Sequence, residues 1–201
     1  MCGIVGFYSR SRKFIKYSDN VINSMLKAID HRGPDKKQFW KDPQGFGAIG
    51  FTRLSIIDLS HNAMQPMWNE TEDIGIVFNG ECYNFLEIKT LLNKDYKINW
   101  KSNGDAEVVL QLYEKLGIDE TLKRINGFFS FSIWDRRGDR DKIVLARDRM
   151  GKKPLFYQQN NDSIIWASEI KSLKQIPGFK CEPCLEGEAL YKMFEYIPAP
   201  Y

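Results

Sequence analysis

Apolar positions follow two rhythms along this chain, and their alternation sets out its elements. "GIVGFYS" at 3–9 is short, apolar and spaced by glycine, which predicts a buried strand. "DNVINSMLKAID" then changes period. Val21, Ile22, Met25, Leu26 and Ile29 recur at helical spacing behind a Ser18-Asp19 start signal. "HRGPD" ends that helix, with Gly33 suited to a left-handed cap and Pro34 unable to continue it.

From 38 to 57, "QFW" and "GFGAIGFTRLSII" read as strands. A polar loop with Pro66 leads to "IGIVFNGE", a buried strand ending at Asn79-Gly80. "NFLEIKTLL" predicts a short amphipathic helix that Asn84 can cap. "GDAEVVLQLYEKLG" predicts a second, with Asp105 in its first turn, where the helix dipole favours an anion, and Gly117 closing it. "GFFSFSIWD" and "KIVLARD" flank "RRGDRD" as a hairpin, and "PLFYQQ" and "SIIWASE" flank "NND" as another. The tail "EGEALYKMFEYIPAPY" starts helical and ends in prolines. Many strands are apolar on both faces and helices bracket them, so two packed sheets with helices outside are expected.

At 201 residues the chain makes one large domain, or a domain with an appendage. A hydrophobic share of 43% and a charged share of 27% predict a folded core, and 13% aromatics suggest extensive buried sheet. The net charge of +3 is scattered, which argues against nucleic-acid and membrane partners. No run is long and apolar enough to span a bilayer, and the N-terminus lacks the basic segment and cleavage site of a signal peptide. The cytoplasm is the expected compartment, with Cys2, Cys82, Cys181 and Cys184 reduced. Cys181 and Cys184 form a lone C-x-x-C in a proline-containing loop, far from His31 and His61, so neither a metal nor a redox site is expected there.

Cys2 stands directly behind Met1. It reads as a small hydrophobe on a strand, or as a nucleophile. Removal of Met1 ahead of a small residue gives Cys2 a free α-amine, which titrates at about 7.7–8.0 and can accept the proton of the thiol on the same residue. Asn79 and Gly80 read as a turn, or as a pair of N–H donors for a developing oxyanion. Arg53 reads as a surface ion-pair partner or a clamp for a carboxylate. Asp105 reads as a helix cap or an anchor for an ammonium. Arg53 and Asp105 together would suit a free α-amino acid.

The order of these motifs carries a family likeness. "MCGIVGF", "HRGPD", "RLSIIDLS", "QPM", "FNGECYN", "GDAEVVL", "NGFFSFSIWD", "LARDRMGKKPLFY" and "ASEIKSL" closely resemble the glutaminase domain of glutamine-dependent asparagine synthetases, among the class II (N-terminal nucleophile) amidotransferases. The resemblance implies an α+β fold, a four-layer αββα sandwich of two mainly antiparallel sheets of the Ntn-hydrolase type. It implies Cys2 as nucleophile with its α-amine as base, and Asn79 and Gly80 as the oxyanion hole. It also implies a glutamine pocket of Arg53, Leu54, Ser55, Ile56, Ile57, Asn79, Gly80, Glu81 and Asp105, with Arg53 on the α-carboxylate and Asp105 on the α-ammonium. Arg32 is read as part of a shaped loop, and Cys82, where the family usually has isoleucine, as packing.

The implied layout is an amidotransferase domain over 1–185 and, over 186–201, the lead-in to an ATP-dependent synthetase domain. The implied partners are L-glutamine and that synthetase domain, in the same chain or a separate one, with a homodimer as one assembly it allows. No cofactor or metal is expected in this chain. ATP and Mg2+ are expected for the synthetase domain. A stand-alone glutaminase and a non-catalytic glutamine-binding regulatory module are the alternative functions.

Overall fold

The computed structural model describes residues 1–55, 58 and 60–181. Ile56, Ile57, Cys184 and the 186–201 segment lie outside the described residues.

The N-terminal strand β1 (Gly3–Ser9) is the centre of a five-stranded sheet. Its neighbours are β3 (Gly47–Arg53), backed by the edge strand β2 (Lys36–Lys41), and β9 (Ser163–Ala167), backed by β8 (Phe156–Gln159). The second sheet runs β4 (Met67–Trp68), β5 (Ile74–Cys82), β6 (Gly127–Asp135), β7 (Lys142–Arg147). Every pairing between these strands is antiparallel. Helices α1 (Ser18–Ala28) and α4 (Ile170–Leu173) pack outside the first sheet, and α2 (Phe85–Asp95) and α3 (Asp105–Arg124) outside the second. The expected four-layer αββα sandwich is therefore present.

The period of two along each strand sorts its residues between layers. On β1, Val5 and Phe7 meet Val21, Ile22, Met25 and Leu26 of α1, while Ile4 faces the other sheet. On β5, Ile74, Ile76, Phe78 and Cys82 pack towards α3, and Val77 joins Ile4, Ile49, Phe51, Trp134 and Trp166 between the sheets. Trp166 lies across Gly6 so closely that a Cβ there would stand 2.1 Å from its ring. The glycine spacing of β1 makes room for that indole.

Three local expectations change. Gly33 has φ −146°, not a left-handed cap. Its lack of a side chain serves close approach instead, since a Cβ would meet the Thr52 backbone carbon at 2.3 Å. Asn84 stands at the start of α2 without capping it; its amide bonds the Arg124 carbonyl and the Asn126 N–H, tying α2 to the end of α3. Asn79-Gly80 does not end a strand, because β5 pairs with β6 through Cys82. Gly117 does break its helix, at φ +76°, and the chain then resumes helical turns to Arg124. The short β4 and α4 carried too little periodic signal to be foreseen.

Candidate functional site

Cys2 immediately precedes β1 and is partly buried. Strand register sets Gly3 opposite Thr52, which brings Cys2 to the end of β3. There the Leu54 N–H donates to Sγ at 3.4 Å, and the thiol faces the Leu54 carbonyl at 3.5 Å. Burial pushes the thiol up; the Leu54 N–H, the N-terminal charge, Arg53 and Lys153 pull it down only in part. The resting sulfur is thus a thiol, and it needs a base to become a nucleophile. Met1 precedes it, 55% exposed, with Lys153 Nζ 3.7 Å from its sulfur.

Cys2, Arg53, Leu54, Ser55, Gly80, Glu81 and Asp105 line one cleft of about 80 Å³. Arg53 follows Ile49 and Phe51 on the face of β3 that looks across to the other sheet. Arg53 is 4% exposed, and its guanidinium donates to two loop carbonyls, Ser60 at 3.0 Å and Asp58. Among the described residues no carboxylate pairs with it. Asp105, the first residue of α3, is 7% exposed and accepts the Cys82 N–H at 2.8 Å. Burial, and then the charge of Glu81, push its carboxyl above the ordinary carboxylate value against its own backbone hydrogen bonds. Among the described residues no cation pairs with it either. Among the described residues, then, one cleft holds an unpaired buried positive charge and an unpaired buried negative charge.

Backbone geometry supplies a further donor. Alternate N–H groups of a strand point to opposite edges. The Phe78 N–H leaves β5 on the edge away from β6, reaching Gln65 Oε1 at 2.6 Å, and the Cys82 N–H leaves on that edge to Asp105. The Tyr83 N–H turns the other way, to Asn126 in the segment leading into β6. Gly80 lies between Phe78 and Cys82 in this alternation, so its N–H also points to the open edge, where the cleft lies. Asn79 is 1% exposed, and its Nδ2 donates to Ser130 Oγ at 3.3 Å, whose own hydrogen reaches the Pro154 carbonyl at 3.2 Å. It is absent from the residues lining the cleft.

Asp58 and Gln65, to which the sequence reading gave no role, line the cleft, and Asp35 braces it. Asp35 accepts the Ser55 N–H at 2.7 Å, and its own N–H reaches the Arg53 carbonyl, so "HRGPD" holds the backbone of Arg53 and Ser55 in place. Arg32 Nε donates to the Cys2 carbonyl at 3.0 Å. Asp58 accepts the Ser60 and Asn103 N–H groups; the Ser60 side chain first, and then these N–H bonds, hold its carboxyl below the ordinary value. Gln65 explains the polar residue of "QPM". Cys82 is 2% exposed in the core with its thiol pushed up to about 11, mainly by burial, as its packing role requires. No three His, Cys, Asp or Glu among the described residues group as metal ligands. A larger open depression, about 1000 Å³, lies at the other end of the sandwich among Tyr8, Arg136 and Asp141, and no cysteine among the described residues lines it.

Comparison with known proteins agrees with this architecture. A family model described as a glutamine amidotransferase domain matches residues 1–201. The putative asparagine synthetase [glutamine-hydrolyzing] 2 of Methanocaldococcus jannaschii is 36% identical over all of this chain and 41% of its own length. Asparagine synthetase [glutamine-hydrolyzing] 2 of Bacillus subtilis is 40% identical over 88% of this chain and 23% of its own. The chain thus spans less than half the length of these relatives. Among solved structures, glutamine phosphoribosylpyrophosphate amidotransferase of B. subtilis superposes with a TM-score of 0.68 at 19% identity, covering 86% of this chain and 43% of that one. The likeness is one of fold, the Ntn-hydrolase sandwich. The chain belongs to the glutamine amidotransferase domain family.

Proposed function

We propose that this chain hydrolyses L-glutamine to L-glutamate and ammonia, as the glutaminase part of an asparagine synthetase-type enzyme. One observation carries the reading. The unpaired guanidinium of Arg53 and the unpaired carboxylate of Asp105 share a cleft with the Cys2 thiol. A free α-amino acid supplies the two missing counter-charges, its carboxylate to Arg53 and its ammonium to Asp105. Its side chain then extends towards Cys2, and an amide is the group a thiol can open.

In this reading Met1 is removed, and the α-amine of Cys2 takes the thiol proton that burial retains. The thiolate attacks the side-chain carbonyl carbon, and the oxyanion is held by the Gly80 N–H; Asn79, buried behind the cleft wall, turns the second N–H of its amide to it when glutamine binds. The α-ammonium protonates the departing ammonia, leaving a thioester. The same amine then activates water, which releases glutamate and frees the thiol. Leu54, Ser55, Ile56, Ile57 and Glu81 complete the pocket.

A reactive free thiol suits the reducing cytoplasm. No helix among the described residues is long and apolar enough to cross a membrane. The ammonia passes to a synthetase part, in the same chain or a partner, where ATP and Mg2+ activate an acceptor carboxylate; we take aspartate as that acceptor. The test is glutamate release from glutamine. The chain freed of Met1 turns over and Cys2→Ala does not. Continued release by Cys2→Ala would overturn the mechanism.

A further inference from the structure

The motif "ASEIKSL" takes no part in the reaction described above, yet its first residues grip the start of β1. Ser168 bonds Ile4 twice: the Ser168 N–H donates to the Ile4 carbonyl, and its Oγ accepts the Ile4 N–H, both at 2.9 Å. Glu169 is the next residue. It stands at the N-cap position of α4 but makes no capping bond. Its carboxylate turns to the "HRGPD" segment instead, where Oε1 accepts from Arg32 Nη1 at 3.1 Å and meets His31 Nε2 at 2.9 Å. Lys171 meets the other oxygen at 3.0 Å. Burial works against the charge of Glu169, but its bonds from Lys171, Arg32 and His31 outweigh it and hold the carboxyl below its ordinary value. The same Arg32 spends its Nε on the Cys2 carbonyl.

Arg32 is 8% exposed, and Glu169 is the one carboxylate paired with it among the described residues. Arg32 Nη2 is buried without a hydrogen-bond partner among the described residues, so few other contacts fix the orientation of the guanidinium. Further along, Ser172 Oγ donates to the Met25 carbonyl at 2.9 Å, which anchors the segment to α1.

Taking the glutaminase reading as the frame, we propose that Glu169 is a positioning residue: through Arg32 it fixes the backbone of Cys2, and with it both the sulfur and the α-amine. The chain of contact is carboxylate to guanidinium to carbonyl, from a rigid turn anchored on β1 and α1. Cys2 lies before its strand and outside the ladder, so Arg32 provides a fixed point that strand pairing does not. Ala at 169 leaves a buried guanidinium without its counter-charge and free to turn away. The reacting atoms then lose their alignment, and a misplacement of about 1 Å costs on the order of 10²-fold in rate. Arg53 and Asp105 sit on other elements, so glutamine binding is spared.

The experiment compares the full chain, freed of Met1, with Glu169→Ala, Glu169→Gln and Lys171→Ala. Expected is a fall in kcat of about 10- to 100-fold for Glu169→Ala with KM little changed. Glu169→Gln keeps an acceptor oxygen for Arg32 and loses less. Lys171→Ala, which leaves the Arg32 contact intact, behaves as the parent. A kcat for Glu169→Ala that matches the parent, or that falls only with the folded fraction measured by thermal melting, overturns the proposal. Iodoacetamide labelling of Cys2, read by mass, requires no glutamine and so separates this proposal from the glutaminase reading. Cys2 released from its clamp labels several-fold faster in Glu169→Ala, and an unchanged rate overturns the proposal whether or not glutamine is the substrate.

Discussion

Replacing Gly80 by alanine joins the fold to the chemistry at one atom. A Cβ there would lie 2.3 Å from the Phe128 carbonyl oxygen and 2.6 Å from Phe129 Cα, whereas real Cβ contacts essentially never fall below 3.0 Å. The first obstacle is backbone of β6, held in the ladder one pair from its end, and it cannot rotate aside as a side chain could. The strand must therefore retreat by at least 0.7 Å, and it carries the Gly80 N–H with it. Overpacking of this kind costs about 1–3 kcal/mol. At roughly 2–4 °C per kcal/mol for a chain of this size, the melting point drops by about 2–12 °C. Losing an aligned oxyanion donor costs about 10²–10³ in kcat. The assay is glutamate release against glutamine concentration at a temperature where the variant stays folded. Gly6→Ala is the control: its Cβ would lie 2.1 Å from the Trp166 ring, so it loses stability while the folded fraction keeps its kcat. Full kcat in Gly80→Ala, or an equal loss in Gly6→Ala, would refute the assignment of the Gly80 N–H.

Two further substitutions probe the site. Asp105→Asn keeps an oxygen for the Cys82 N–H and removes a buried charge. Because the Asp105 carboxyl is raised in the folded chain, the folded state holds a proton that the unfolded state has already lost. Its contribution to stability therefore falls as pH rises through the window between the unfolded and folded values. The variant should melt higher than the parent at pH 7 and lose the rise in melting point that glutamine gives the parent. A retained glutamine-dependent rise would contradict the ammonium role. Cys82→Ala removes a buried sulfur far from its ionising range; about 1 kcal/mol of stability is lost and glutamine turnover stays. Loss of turnover in a folded Cys82→Ala protein would show that packing is not its only role.

Much of the fold was legible because its strands and helices are long and strongly patterned. The short, glycine-spaced apolar run at Gly3–Ser9, the apolar/Ser alternation within Gly127–Asp135 and the helical period from Val21 to Leu26 locate the layers directly. Features set by tertiary contact were not legible in the same way. Nothing local says that Asn79-Gly80 continues a strand, because the same dipeptide makes turns and only β6 decides between them. Gly33 serves an approach to β3 that its neighbours in sequence do not reveal. Asn84 caps nothing because two distant backbone groups compete for its amide. The same limit applies to the site. Residue type could nominate Arg53 and Asp105, but that both are buried, unpaired and turned into the cleft of Cys2 is a fact of packing between two sheets.

The most direct test of the mechanism is the intact mass of the purified protein after reaction with a glutamine analogue bearing an electrophile at its side-chain carbonyl. The expected result is a chain lacking Met1 that carries a single adduct, mapped by peptide digestion to Cys2 and suppressed by excess glutamine. A chain that has lost Met1 yet gains no adduct, or gains it at Cys82 or Cys181, would contradict Cys2 as the nucleophile of a glutamine-binding cleft.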